Sequence, residues 1–286
     1  MCPGALKRTG DHLPKRSNIG LTSTSSLHSD MMRMRFFLGA IAITALEKMP
    51  ELTYLGHSAF SIACSKGTVL IDPFLDGNPK ASIKAKDAKA DVILVTHAHG
   101  DHLGDAISIA KRTGATIVGT FELANYCADK GVKVMDGHFG GTMALPMGRA
   151  KLFPAIHSSC TDDGVYLGQA ASFVLEADGA RMYHAGDTAL FGDMRLIGEE
   201  FDLDVAMLPI GGHYTMGIED AVRAVKMLRP VVVVPMHYST FPPIDVDPQK
   251  FKRLVEKETR TECVVLKPGE SLAVEGIGHQ ERREVA

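Results

Sequence analysis

The chain has 286 residues, 45% of them apolar, enough to bury one large core or a fused pair. Thirty-one basic and 34 acidic side chains leave a net charge of −3, split unevenly into +4 over residues 1–48 and −7 over the remainder. The acidic body argues against a phosphate-tracking groove and hence a nucleic-acid partner, and five scattered cysteines without a CxxC pair argue against a disulfide framework and for a reducing, cytoplasmic compartment.

Residues 1–30 are rich in Ser, Thr, Gly and basic side chains without periodicity, which reads as a disordered segment. "MMRMRFFLGAIAITALEK" follows, a basic start and an apolar stretch of signal-peptide proportions over 31–46, too short to span a bilayer. Residues 1–48 are therefore expected to form an accessory or targeting extension, or a gene-model artefact ahead of Met49; export through 31–46 is the alternative. The folded domain is expected over 49–286. There, short β-branched runs punctuated by Gly or Pro predict strands at "LTYLG", "FSIAC", "TVLID", "DVILV", "TIVGT", "VKVM", "AKLFPA", "ASFVLE", "RMYHAG", "DVAMLPI", "VVVVPM" and "CVVLKPG". Helical spacing is expected over 102–112, 121–130, 217–228 and 247–258. In "GIEDAVRAVKMLRP", Ile218, Ala221, Val222 and Val225 share a face, acids fill the first turn and a proline closes the pattern. A β-rich first half and a β-then-α second half fit two sheets face to face with helices outside, an α/β four-layer αββα sandwich.

The densest chemistry lies in "THAHGDHLGD", directly after the strand "DVILV". Residues two apart on extended chain share a side, so His97 and His99 aim together. Gly100 permits a bend, and Asp101 with His102 opens the next helix. Four imidazole and carboxylate donors on a rigid strand end suit zinc, iron or manganese.

HxHxDH after a strand resembles the metallo-β-lactamase superfamily of metal-dependent hydrolases. The likeness runs over about residues 52–273, through "LGHSAF", "IDPF", "HSS", "YHAGDTALFGDM", "LPIGG", "TMG", "PMHY" and "PGE". It is nearest the UPF0173 metal-dependent hydrolase group, in the branch of ascorbate-6-phosphate lactonase and ribonuclease Z-like enzymes. The resemblance implies the metallo-β-lactamase fold and two divalent metal ions, zinc first, with manganese or iron compatible. It implies one ion on His97, His99 and His157, and a second on Asp101, His102 and His237, with Asp187 bridging. It also implies hydrolysis by an ionised water shared by the two metals, with Asp101 as ligand and proton acceptor together.

Further candidates carry less. His57 in "GHSAF" is expected to support the metal site or touch substrate, or to hold its own hairpin. Asp72 ends a strand where a carboxylate can orient a ligand imidazole. His184 is expected packed or supporting, His213 on a loop that reaches substrate or solvent, and Cys160 as a small buried thiol. His12, His28, His138 and His279 read as surface residues. The expected activity is cleavage of a small ester, lactone or phosphodiester. RNA cleavage, or a metal-binding protein without catalysis, is the alternative; the sequence is silent on oligomeric state.

Overall fold

A computed structural model describes residues 49–276. The extension 1–48, with Cys2, His12 and His28, and the tail with His279 lie outside the described residues.

Two seven-stranded sheets carry the fold. The first has the order β14-β1-β2-β3-β4-β5-β6, built from Glu51–Gly56 (β1), Ala59–Cys64 (β2), Gly67–Ile71 (β3), Val92–Leu94 (β4), Thr116–Thr120 (β5), Lys133–Gly137 (β6) and Ser271–Ala273 (β14). The second has the order β13-β12-β11-β10-β9-β8-β7: Thr142–Leu145 (β7), Gly148–Pro154 (β8), Ala171–Ala177 (β9), Ala180–His184 (β10), Val205–Pro209 (β11), Val232–Met236 (β12) and Glu262–Cys263 (β13). Each sheet joins a parallel half, reached by helical crossovers, to an antiparallel half joined by hairpins or short links.

Strand alternation explains the layers. In the first sheet Ile62, Val69, Ile71, Val92, Leu94 and Val118 join the cluster that also contains Leu152, Phe173, Tyr183 and Met207 of the second sheet. The alternate residues Leu70, Ile93 and Ile117 point the other way. These outward residues are covered by Ala106–Thr113 (α2) and Phe121–Asp129 (α3) through Ile109, Leu123 and Cys127. The second sheet's outer face takes Met194–Phe201 (α4), Ile218–Leu228 (α5) and Pro248–Glu258 (α6) through Ile197, Val225 and Phe251. The result is the expected αββα sandwich.

The helix expected over 102–112 is in fact two. Gly100–Leu103 (α1) ends at Gly104, whose φ of 42° no L side chain adopts easily, and α2 starts afresh at Ala106. A Cβ at Gly104 would meet the Pro73 carbonyl oxygen at 2.7 Å, so the break lets the chain after β3 pass close by. Asp105 fixes that passage by accepting from the backbone N–H of Leu75 and Asp76, both at 2.9 Å. α4, β7 and β14 have no counterpart among the sequence expectations, and "CVVLKPG" yields only a two-residue strand. Among the described residues no helix is long and apolar enough to cross a membrane.

Candidate metal centre

The chemistry-bearing side chains gather at one edge of the sandwich. His57 follows β1, Asp72 follows β3, and His97 and His99 follow β4; His157, Asp187 and His237 follow β8, β10 and β12. Within each sheet these strands run the same way, because β1 and β3 are both antiparallel to β2, and β8 and β10 to β9. Strand carboxyl ends are where open α/β sheets place ligands.

Three sets of donor atoms lie within 4.8 Å of one another: His97, His99 and His157; His57, Asp101, His102 and His237; and His97, His102 and Asp187. Asp187, in the third set, also reaches the other two. Its Oδ2 is 3.6 Å from His157 Nε2 and 3.0 Å from His237 Nε2, and its Oδ1 is 3.2 Å from His102 Nε2. The structure thus brings together all seven residues of the expected ligand pattern and adds His57 to one set. Asp101 Oδ2 sits 3.9 Å from His237 Nε2 and 3.2 Å from His57 Nε2. His99, Asp101 and His157 are partly exposed while His97, His102, Asp187 and His237 are buried, so the cluster opens on the first three.

A buried carboxylate fixes two of the rings. Asp72 accepts from the Thr96 backbone N–H at 2.8 Å, from Thr96 Oγ1 at 2.6 Å and from His102 Nδ1 at 2.8 Å. His102 then carries a proton on Nδ1, which leaves Nε2, facing Asp187, as the ring atom that can meet a cation. Thr96 gives its single hydroxyl proton to Asp72, so its oxygen can only accept from His97 Nδ1 at 3.0 Å. His97 therefore presents a bare Nε2. This is the arrangement that orients metal-binding histidines through their other ring nitrogen.

The charge balance of the cluster is that of a cation site. Burial pushes the His97 imidazole well below the usual histidine range, and lowers His99 and His157 as well, keeping the rings neutral. Burial also pushes His57 down to about 4, against the pull of Asp101. His102 goes the other way: burial would lower it, but Asp187, Asp101 and Asp72 together hold it well above the histidine range, so without a cation Nε2 keeps a proton that a cation at that atom would displace. Burial would raise Asp187, yet His102 and His237 keep it well below the carboxylate range; burial would raise Asp101 too, but His102 and the adjoining His57 ring hold it low. Three buried atoms, His102 Nε2, Asp187 Oδ1 and His237 Nδ1, have no hydrogen-bond partner. Each such orphan costs about 1–3 kcal/mol. Two of them face one another across the cluster, and imidazole nitrogen with carboxylate oxygen is a donor set that divalent zinc, manganese or iron satisfies. The cluster is able to hold metal.

Residues 51–237 match the Beta-lactamase superfamily domain. A UPF0173 metal-dependent hydrolase of Pelotomaculum thermopropionicum is 50% identical over 226 residues, covering 78% of this chain and 99% of its own. The chain belongs to the UPF0173 metal-dependent hydrolases of the beta-lactamase superfamily. The hydrolase is also 52% identical over 229 residues to its counterpart from Pyrococcus furiosus, again covering 78% of this chain and 99% of that one. Among solved structures it is similar to Igni18, a metallo hydrolase of Ignicoccus hospitalis, with a TM-score of 0.74 and 43% identity over 80% of this chain and 99% of that one.

The remaining candidates of the hydrolase separate cleanly. Both ring nitrogens of His184 are committed, Nε2 donating to the Ser58 carbonyl at 3.0 Å and Nδ1 accepting from Gly186 N–H at 3.1 Å, so it braces the turn before Asp187 and has no lone pair for a metal. His213 stands exposed beside Tyr214, outside every donor set. Cys160 is half-buried rather than buried, and also outside them. Sequence reasoning missed Thr188. Its hydroxyl accepts from Ile156 N–H at 3.0 Å and donates to the Ala189 carbonyl at 2.7 Å, while its carbonyl accepts from Met216 N–H at 3.0 Å. It ties the His157 loop and the 212–216 loop to Asp187. A threonine directly after "GD" was the available signal.

Proposed function

We propose that the hydrolase cleaves small esters, lactones or phosphodiesters with two divalent cations, zinc first. His97, His99 and His157 would hold one, Asp101, His102 and His237 the other, and Asp187 would lie between them. The observation carrying this reading is that two compact donor sets adjoin, with one buried carboxylate in contact with both. Cations bound there supply an acidified water nucleophile and a counter-charge for the oxygen that becomes negative as the bond breaks.

The side chains have complementary tasks. Asp72 and Thr96 hold His102 and His97 in the tautomers that leave Nε2 free. Asp101 is the partly exposed carboxylate of the cluster, with 30% side-chain exposure, so it is the one that meets both water and an incoming substrate. It stays ionised through the ordinary pH range and would accept the proton of the attacking water. The charged partners of the centre are histidines and aspartates, whereas lysines and arginines pair with Glu176, Glu200, Glu219 and Glu258 on the β8–β9 pair and the outer helices. That distribution favours a small molecule over RNA.

A panel of lactones, phosphodiesters, thioesters and short RNA, run on the wild type and His99→Ala with metal content measured alongside, tests the reading. Turnover of a small ester, lactone or phosphodiester by the wild type alone is expected. Fewer than one metal per chain with no uptake on titration, or equal turnover by both proteins, would remove it.

A further inference from the structure

We propose that His57 is a protein donor to the second cation, through Nε2, alongside Asp101, His102 and His237. The inference rests on the two-cation reading above and extends it from seven donors to eight.

Its first support is position. His57 is fully buried, its ring lies 4.2 Å from that of His237 and 5.7 Å from that of His102, and its Nε2 faces Asp101 Oδ2 at 3.2 Å. The backbone holds it there against its own preference. His57 has φ 58°, a conformation a glycine or asparagine would adopt more readily, yet its carbonyl accepts from His237 N–H at 2.8 Å and from the Tyr54 hydroxyl at 3.1 Å. Fixing the turn to His237 fixes two rings of one set relative to each other.

The second support is the proton count. His57 Nδ1 lies 2.9 Å from Thr240 Oγ1, and Thr240 Oγ1 has the Tyr238 carbonyl as an acceptor at 3.4 Å. A hydroxyl has one proton. Given to Tyr238, it leaves Thr240 Oγ1 to accept Nδ1–H, and the neutral ring then aims a bare Nε2 at a carboxylate oxygen. Two lone pairs at that distance repel unless a cation sits between them. Thr96 treats His97 in the same way, taking Nδ1–H while passing its own proton to Asp72. The opposite tautomer, with Thr240 donating to Nδ1 and Nε2–H donating to Asp101, would make His57 only a positioning residue for Asp101.

Cobalt titration of the metal-free full-length protein decides between the two, read as stoichiometry by chelator competition and as the visible cobalt spectrum. His57→Asn suits the backbone and keeps an amide near Thr240 while removing the atom that faces Asp101. Thr240→Val is isosteric, leaves the turn alone and removes the acceptor of Nδ1–H. The wild type is expected to take up two equivalents. His57→Asn should keep the first step and weaken the second by more than about 100-fold, beyond the roughly 10–100-fold that a positioning residue gives, with the more intense visible bands of a cobalt that has lost a ligand; Thr240→Val should weaken the second by about 10–100-fold. The first step serves as the folding control, and if His57→Asn loses both steps the Thr240→Val titration decides alone. Two equivalents in the wild type with an unaltered second step in the deciding variant, or a loss within about 10–100-fold at unchanged band intensity in His57→Asn, overturn the assignment of His57 and leave the two-cation reading standing. One equivalent in the wild type overturns both.

Discussion

His99 and Asp72 show how differently two residues of one centre are embedded. His99 is half-buried, its Nδ1 3.0 Å from His97 Nε2 and its Nε2 3.2 Å from Ser158 Oγ, with part of the ring open to solvent. His99→Ala should abolish turnover while changing the stability of the metal-free protein in urea unfolding by no more than about 0.5 kcal/mol, the usual effect of a substitution outside the core. A protein that unfolds on this change would show that the decapeptide is structural. Asp72 is fully buried and accepts three hydrogen bonds at φ 43°. Asp72→Asn keeps shape and backbone tolerance but turns an N–H₂ toward the Thr96 hydroxyl and His102 Nδ1–H, donor against donor. The expected result is about 10–100-fold weaker metal uptake and a loss of about 1–3 kcal/mol in urea unfolding. Wild-type uptake would reduce Asp72 to a turn residue. Why Asp72 was legible as a candidate and Thr96, Thr188 and Thr240 were not follows from the same chemistry. A carboxylate at a strand end advertises itself, whereas a threonine's role depends on where its one proton goes, which only coordinates reveal.

At the scale of elements, the strand ends around the centre are held by close backbone passages more than by the helices. α1 spans only four residues yet carries Asp101 and His102, and it stops because Gly104 admits the Pro73–Phe74 backbone. Periodicity over 102–112 predicted one helix because leucine, alanine and isoleucine keep helical spacing straight through the break. Nothing in that spacing records a neighbouring loop's carbonyl 2.7 Å from a missing Cβ. The converse holds for α4, where Met194, Ile197, Gly198 and Phe201 do form an apolar stripe, but over eight residues, too short for the pattern to stand out. β7 and β14 are edge strands, and half-exposed edges lack the unbroken apolar runs that marked β11 and β12. Gly104→Ala should therefore cost about 1–3 kcal/mol in urea unfolding through its backbone conformation, and should also weaken metal uptake by displacing α1. A variant that lost stability but titrated metal like the wild type would show that α1 holds its place without the break.

Across the whole molecule, the αββα arrangement was legible because its parallel strands are continuous apolar runs joined by amphipathic helices, while the first sheet's odd and even residues divide between two cores. The relatives match essentially their full length to about four-fifths of this chain. A protein beginning at Met49 is accordingly expected to take up metal and turn over substrate as the full chain does; loss of either would give residues 1–48 a part in the hydrolase itself. Metal should matter to the fold as a whole. The donors arrive from the ends of β1 and β4 in one sheet and of β8, β10 and β12 in the other, so ions gripped there cross-link the two sheets at one edge. Binding to the native state alone adds about 2.7 kcal/mol when the free ion stands at a hundred times its Kd. For a domain of this size that raises Tm by about 5–10 °C per ion. Thermal melts with and without a chelator should differ by that amount for each ion bound in the wild type and by clearly less in His99→Ala. Superimposable wild-type melts would mean that the centre is held by the protein alone and that no cation joins the sheets.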